Sequence, residues 1–251
     1  KIIRLPITWI NFIDQMGNID SNWIKEIKQV IDFSVKDYNM YCIINVHNDC
    51  KDDNWLSKGI NAKNIFIKLW SQISKEFINY DEHLLFESMD NPSFYNLENA
   101  YDFETLLILN QAFIDTVRNS GGNNKYRLLL ISSGNSQIDF FSFNYKLPKD
   151  PYNKIVLATN FFNPYDFCGQ NSNEWGTETD YKEMFTEFTT LKTSFVDKGI
   201  PVIISATGVM TESNKEKESI REYLYFLFSL SLSFNGMIAC LWDTSTADFK
   251  Y

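Results

Sequence analysis

The sequence predicts an α/β protein built on a parallel sheet. Short apolar runs alternate with longer amphipathic ones along all 251 residues. Their spacing is that of repeated strand–helix–strand units. No Pro/Gly/Ser-rich linker, charge block or low-complexity tract interrupts them, so a single domain over 1–251 is the expectation. An open doubly wound sheet and a closed barrel both fit this pattern. No G-x-G-x-x-G or G-x-x-x-x-G-K-[ST] follows a strand, so nothing points to a nucleotide-binding version.

The strands are expected over residues 2–8, 41–46, 84–89, 126–132, 155–160, 201–205 and 237–242. The helices are expected over 21–36, 63–77, 103–119, 180–198 and 214–234, with a short extra helix at 136–141. Asp20 or Ser21 supplies an N-cap for the first helix. In the second, Ile65, Leu69 and Ile73 recur at the i, i+4 spacing of one helical face, with Trp70 and Phe77 beside them. Gly121 and Gly122 end the third by providing the left-handed geometry a helix stop favours. Pro201 opens a strand, where its missing N–H is tolerated.

Composition narrows the function. The formal net charge is −9, which argues against a nucleic-acid partner. No apolar run approaches the roughly 18 residues a membrane span needs. The chain opens on strand-like sequence rather than on a signal-peptide pattern, so an upstream part is expected to have been removed or left out. Cys42 and Cys240 sit in apolar runs as buried thiols, while Cys50 and Cys168 fall in loops and are able to pair in an oxidising compartment. With His47 and His83 alone and no C-x-x-C, no metal site and no cofactor is expected. Aromatic residues make up 16% of the chain, which fits either an aromatic-rich core or a surface that stacks on sugar rings.

Motifs at the strand ends carry a more specific signal. Arg4-Leu5-Pro6-Ile7-Thr8-Trp9, Ile43-Ile44-Asn45-Val46-His47-Asn48-Asp49 and Leu85-Phe86-Glu87-Ser88-Met89 occur in order. Thr116-Val117-Arg118 with Gly121-Gly122-Asn123-Asn124, Asn163-Pro164-Tyr165-Asp166-Phe167 with Trp175-Gly176, Gly199-Ile200-Pro201-Val202-Ile203-Ile204 and Trp242-Asp243 follow. Over its whole length the chain resembles glycoside hydrolase family 5, the cellulase and endoglucanase family, in its rumen-type branch. The resemblance implies a TIM-type (β/α) barrel with its cleft at the C-terminal strand ends. It also implies that the family's first strand is absent here, since seven strands are visible where the family has eight.

Retaining glycosidases use two carboxyl groups, one as nucleophile and one as acid/base. The resemblance puts the acid/base in an Asn-Glu-Pro tripeptide, which here reads Asp90-Asn91-Pro92. It puts the nucleophile in a Gly-Glu-Phe-Gly segment, which here reads Ser205-Ala206-Thr207-Gly208. Asn91 and Ala206 therefore mark vacated catalytic positions. The family's paired histidines become His47 and Asn48, its His-Tyr pair becomes Asn160-Phe161, and a histidine after its second strand corresponds to Phe12. Asp90 and the loop acid Glu212 are the candidate substitutes for the lost carboxylates, with Glu87 expected to face the core.

Arg4, His47 and Trp242 stand where the resemblance places a nucleophile-orienting arginine, a sugar-contacting histidine and a sugar platform. With Asp90 as a hydroxyl acceptor and Trp175 as a weaker member, they form the candidate substrate-binding set, while Trp9, Trp55 and Trp175 itself read better as core or loop-packing residues. The functions expected are a secreted, non-catalytic cellulase-like protein that binds β-glucan or cello-oligosaccharide in the former cleft, or a scaffold that docks other protein modules of a cell-wall-degrading assembly. A weakly active endo-β-glucanase is the third.

Overall fold

The computed structural model describes residues 1–47, 59–90, 92, 100–134, 138, 142, 145–169, 172–210 and 215–243. Two compact units emerge, Lys1–Asn135 with Lys146–Val156, and Ser136–Tyr145 with Leu157–Tyr251. In the first, strands β1 (Ile2–Leu5), β2 (Tyr41–Asn45), β3 (Leu84–Glu87) and β4 (Leu129–Ser132) are parallel neighbours in chain order. Helices α1 (Ser21–Asp32), α2 (Gly59–Glu76) and α3 (Ala100–Asn119) connect them. The second unit holds most of β5 (Ile155–Phe161), then β6 (Val202–Thr207) and β7 (Met237–Leu241), again parallel and in chain order. Its helices are the single turn α4 (Tyr165–Cys168), α5 (Glu178–Ser194) and α6 (Lys217–Ser233).

Strands β3 to β6 are buried at every residue, as a parallel sheet covered on both faces requires. β1 and β7 differ. All four residues of β1 are half-buried, and β7 leaves Ile238 and Leu241 exposed. Each has a single sheet neighbour among the described residues.

Element ends depart from the sequence reading for local reasons. β1 stops at Leu5, because Pro6 has no N–H to continue the ladder. β6 starts after Pro201, whose carbonyl still accepts from Leu157 N at 2.9 Å, and runs two residues further than expected, to Thr207. The first helix is regular only to Asp32 and then widens into a π turn, Phe33–Asp37, where the Ser34 hydroxyl donates back to the Val30 carbonyl. Its N-cap is Asp20, which accepts from Asn22 N at 2.7 Å. α5 begins earlier than expected, on a capping box formed by Thr177 and Asp180. Gly122 has φ +54, and a Cβ there would lie 2.7 Å from Ile78 Cγ1, so glycine is required twice over. The helix expected at 136–141 lies largely outside the described residues. Cys50 does too, and Cys168 is a buried free thiol donating to Tyr223 OH at 3.2 Å, which replaces the pairing envisaged for it.

β4 begins three residues later than expected, because Arg127 turns inward. Its side chain is 2% exposed and hands its donors to the carbonyls of Phe77, Tyr80, Asp81 and Leu84 and to Asn124 Oδ1. Arg118 lies beside it, paired to Asp150 through Nε and Nη2 at 2.8 and 2.9 Å. Arg127→Met removes the guanidinium donors that these four carbonyls share in a dry interior, and each group left short of a partner costs on the order of 1–3 kcal/mol. The expected result is a loss of about 3–5 kcal/mol in urea unfolding, against a marginal change for Arg221→Ala on the surface of α6. Equal midpoints for the two variants would show that Arg127 is not a structural keystone.

Candidate functional site

The site begins with strand arithmetic. In parallel strands, residues in register point to the same side and alternate residues repeat it. Arg4 is in register with Ile43, Ile43 with Leu85, and Asn45 with Glu87. Arg4, Asn45 and Glu87 therefore share one side of the sheet, at its C-terminal end. Arg4 is ion-paired to Glu87 through Nε at 2.5 Å and Nη2 at 3.0 Å. The same Nη2 reaches Asp90 Oδ1 at 2.5 Å. Asn45 Nδ2 donates to Glu87 Oε2 at 3.2 Å, while its own Oδ1 accepts from Ile7 N at 3.1 Å. Beyond the strands, Asp90 N binds Val46 O, and His47 N binds Ile7 O. These two bonds bring His47 Nε2 to 3.1 Å from Asp90 Oδ2. An ionised carboxylate only accepts, so Nε2 carries the proton.

The result is a continuous chain of contacts, Asn45–Glu87–Arg4–Asp90–His47. Side-chain exposure is 1% at Glu87 and 4% at Arg4, and higher at Asp90 (21%) and His47 (14%). Burial opposes charge throughout. For Arg4 it is outweighed by Glu87 and Asp90, which hold the guanidinium above its ordinary range. For Glu87 burial wins over Arg4, and the carboxyl is raised. For Asp90 burial is outweighed by the His47 hydrogen bond and the Arg4 charge, which bring the carboxyl down to about 2. Arg4 Nη1 is buried and has no hydrogen-bond partner among the described residues.

The structure thus brings Arg4, His47 and Asp90 together. Glu87 is the member that sequence reasoning left in the core without a role, although a glutamate in an apolar strand run signals a buried partner. Asn45 carries the same signal. Asn48, Asn91, Glu212 and Trp55 lie outside the described residues. Trp9 is 1% exposed, with its indole N–H on Asn45 O at 2.8 Å, so it packs under the network.

In the second unit, Ala206 is 3% exposed and in register with Asn160. Ser205 Oγ donates to Asn160 Oδ1 at 2.8 Å. Phe161 is buried edge-on against Phe188, with ring centroids 5.1 Å apart. Trp242 is half-buried just past β7, its backbone N–H on Thr207 O at 2.8 Å. Trp175 requires a correction as a substrate-binding candidate. It is 4% exposed and enclosed by Phe167, Tyr181, Tyr223 and Phe226, so it has no open face for a sugar.

Residues 1–248 match the model of the cellulase family, glycosyl hydrolase family 5. The chain belongs to that family. Endoglucanase A of Paenibacillus barcinonensis is 29% identical over 87% of this chain and 63% of its own length. Endoglucanase A of Clostridium longisporum is 27% identical over 99% of this chain and 49% of its own. The chain therefore spans about half to two thirds of these curated relatives. Among solved structures, a GH5-4 broad-specificity endoglucanase from an uncultured bovine rumen ciliate is 42% identical, with a TM-score of 0.93 over 99% of this chain and 75% of that one. A Caldicellulosiruptor lichenase solved with cellotetraose is 28% identical, with a TM-score of 0.87 over 96% of this chain and 71% of its own. The fold class is accordingly the family's TIM-type (β/α) barrel, with seven strands among the described residues where the family has eight.

The network has a pH signature. Asp90 titrates below its ordinary value of 3.8 when folded, so its stabilisation is complete above about pH 4 and is lost as pH falls through about 2. Asp90→Asn is expected to be less stable than the parent at pH 7 and to lose less on acidification from pH 4 to pH 2. Parallel stability curves for the two proteins over that interval would refute this.

Proposed function

We propose that this chain is a non-catalytic member of the family, one barrel domain over residues 1–251, secreted as endoglucanases are. In this reading it holds β-glucan or a related plant polysaccharide in the former active-site cleft. The observation that carries the reading is Ala206. At the position the family gives to its nucleophile stands a methyl group, buried in β6 and unable to attack an anomeric carbon.

The nearby carboxylates of the first unit are poor replacements for the acid/base. Asp90 is held ionised near 2, with both oxygens engaged, so it has no proton to give near neutrality. Glu87 is 1% exposed and bound by Arg4 and Asn45. Asn91, at the acid/base position itself, is a carboxamide. Arg4, His47, Asp90 and Trp242 remain as the proposed sugar contacts.

A second reading, a weakly active endo-β-glucanase, draws support from the relatives, which are named endoglucanases. Hydrolysis of soluble β-glucan and xyloglucan separates the two. The unmodified protein is expected to show no turnover above background, and Asn91→Glu/Ala206→Glu to gain it, because loss of such groups typically costs about four to six orders of magnitude. Clear turnover by the unmodified protein would defeat the proposal. Binding is tested separately by calorimetry with cello-oligosaccharides, where a dissociation constant below the millimolar range is expected. Absence of heat at millimolar ligand would remove sugar binding and favour a scaffold that docks other protein modules.

A further inference from the structure

We propose that Phe12, stacked on Trp23, is a platform for one pyranose ring of a neutral polysaccharide, beside the Arg4–Asp90–His47 network. The proposal rests on the sugar-binding reading above and assigns it a contact. Phe12 ends a 3-10 turn, Ile10–Phe12, just beyond β1. Its ring lies parallel to the Trp23 indole, with centroids 3.9 Å apart and planes 10° from parallel. One face of Phe12 is therefore covered, yet the residue remains 37% exposed. What it presents to water is the other face and the edge.

An exposed phenylalanine is unremarkable by itself. This one is held in place. Its N–H donates to Trp9 O at 2.8 Å, and its carbonyl accepts from Asp20 N at 2.7 Å. The Ile13–Ile19 bridge closes the loop behind it. The Trp23 indole N–H donates to Thr8 O at 3.1 Å. The stacked pair is thus fixed before any ligand arrives, which keeps the ordering cost of binding low.

The same anchors lead to the polar network. Thr8 Oγ1 donates to His47 O at 2.9 Å, and His47 reaches Asp90. An apolar flat surface and a set of polar groups therefore lie along one short segment of the first unit. A pyranose has the matching duality, with a C–H face that buries against an aromatic ring and a rim of hydroxyls. Asp14 and Asp20 flank Phe12 in the loop, and the chain is acidic overall, so a neutral hexopyranose polymer is favoured over a uronate polymer.

The test is a titration of the full chain with cellotetraose and soluble β-glucan, read by calorimetry and by intrinsic tryptophan fluorescence. Phe12→Ala is expected to weaken binding roughly tenfold, and Phe12→Tyr, which keeps the ring, to stay within about twofold. Ligand should alter the fluorescence of the parent, and that change should shrink in Trp23→Phe. An unaltered urea midpoint for Phe12→Ala ties the loss to the ring rather than to folding. If the parent binds and Phe12→Ala binds equally well, the platform is overturned and the sugar-binding reading stands. If the parent binds neither sugar, both fall. Equal affinity for oligogalacturonate would overturn the assignment to neutral polymers.

Discussion

The buried guanidinium of Arg4 constrains the end of the sheet where the site lies. A positive charge with 4% of its side chain exposed is tolerable only if carboxylates accompany it. Two do, from β3 and from the turn beyond it, and each in turn needs support. Glu87 takes it from Asn45, whose carbonyl oxygen is fixed by a backbone amide of the β1 exit, and Asp90 takes it from His47. The positions of the segments after β1, β2 and β3 are thereby interlocked through side chains, past the point where the backbone ladder has ended. Removing Arg4 leaves Glu87 buried without a countercharge, which costs more than the lost contacts themselves.

A second arginine solves the opposite end of the same unit differently. Arg127 enters just before β4 and has no carboxylate of its own. It is neutralised by dipoles, through the carbonyls at the C-terminal end of α2 and the entry to β3. Arg118 supplies the ion pair nearby, on Asp150. The contrast is functional as well as structural. In a (β/α) barrel the N-terminal strand ends serve stability and the C-terminal ends carry sites. The Arg127 cluster is closed, whereas the Arg4 network is more exposed at Asp90 and His47 than at Glu87 and Arg4.

Much of this was legible in the sequence, and what was missed has physical causes. Alternating strand and helix patterns located all seven strands, because parallel strands buried on both faces read as apolar runs. Their ends were less legible. Proline at 6 and 201, the inward turn of Arg127 and the π turn after Asp32 act through geometry that hydrophobicity does not encode. At the site, Arg4, His47 and Asp90 were identifiable from motifs. Glu87 and Asn45 were not, because their role follows from register, and register is fixed by pairing rather than by any single strand. For Trp175 the motifs left a sugar platform open beside the favoured packing reading, for a related reason. Aromatic content does not say whether a ring face is open, and four neighbouring rings close this one.

The same distinction governs which retained residues speak for sugar binding. Arg4, Asp90 and His47 satisfy one another, so their presence is accounted for by the cost of burying charge and would be required whether or not a ligand ever entered. Their family resemblance therefore carries little information about binding. Phe12 is different. Its side chain makes no hydrogen bond, stacks on the half-buried Trp23, and leaves apolar surface in water on a backbone held by its own hydrogen bonds. Folding gains little from that exposure, and a ligand with a flat apolar face would gain from it.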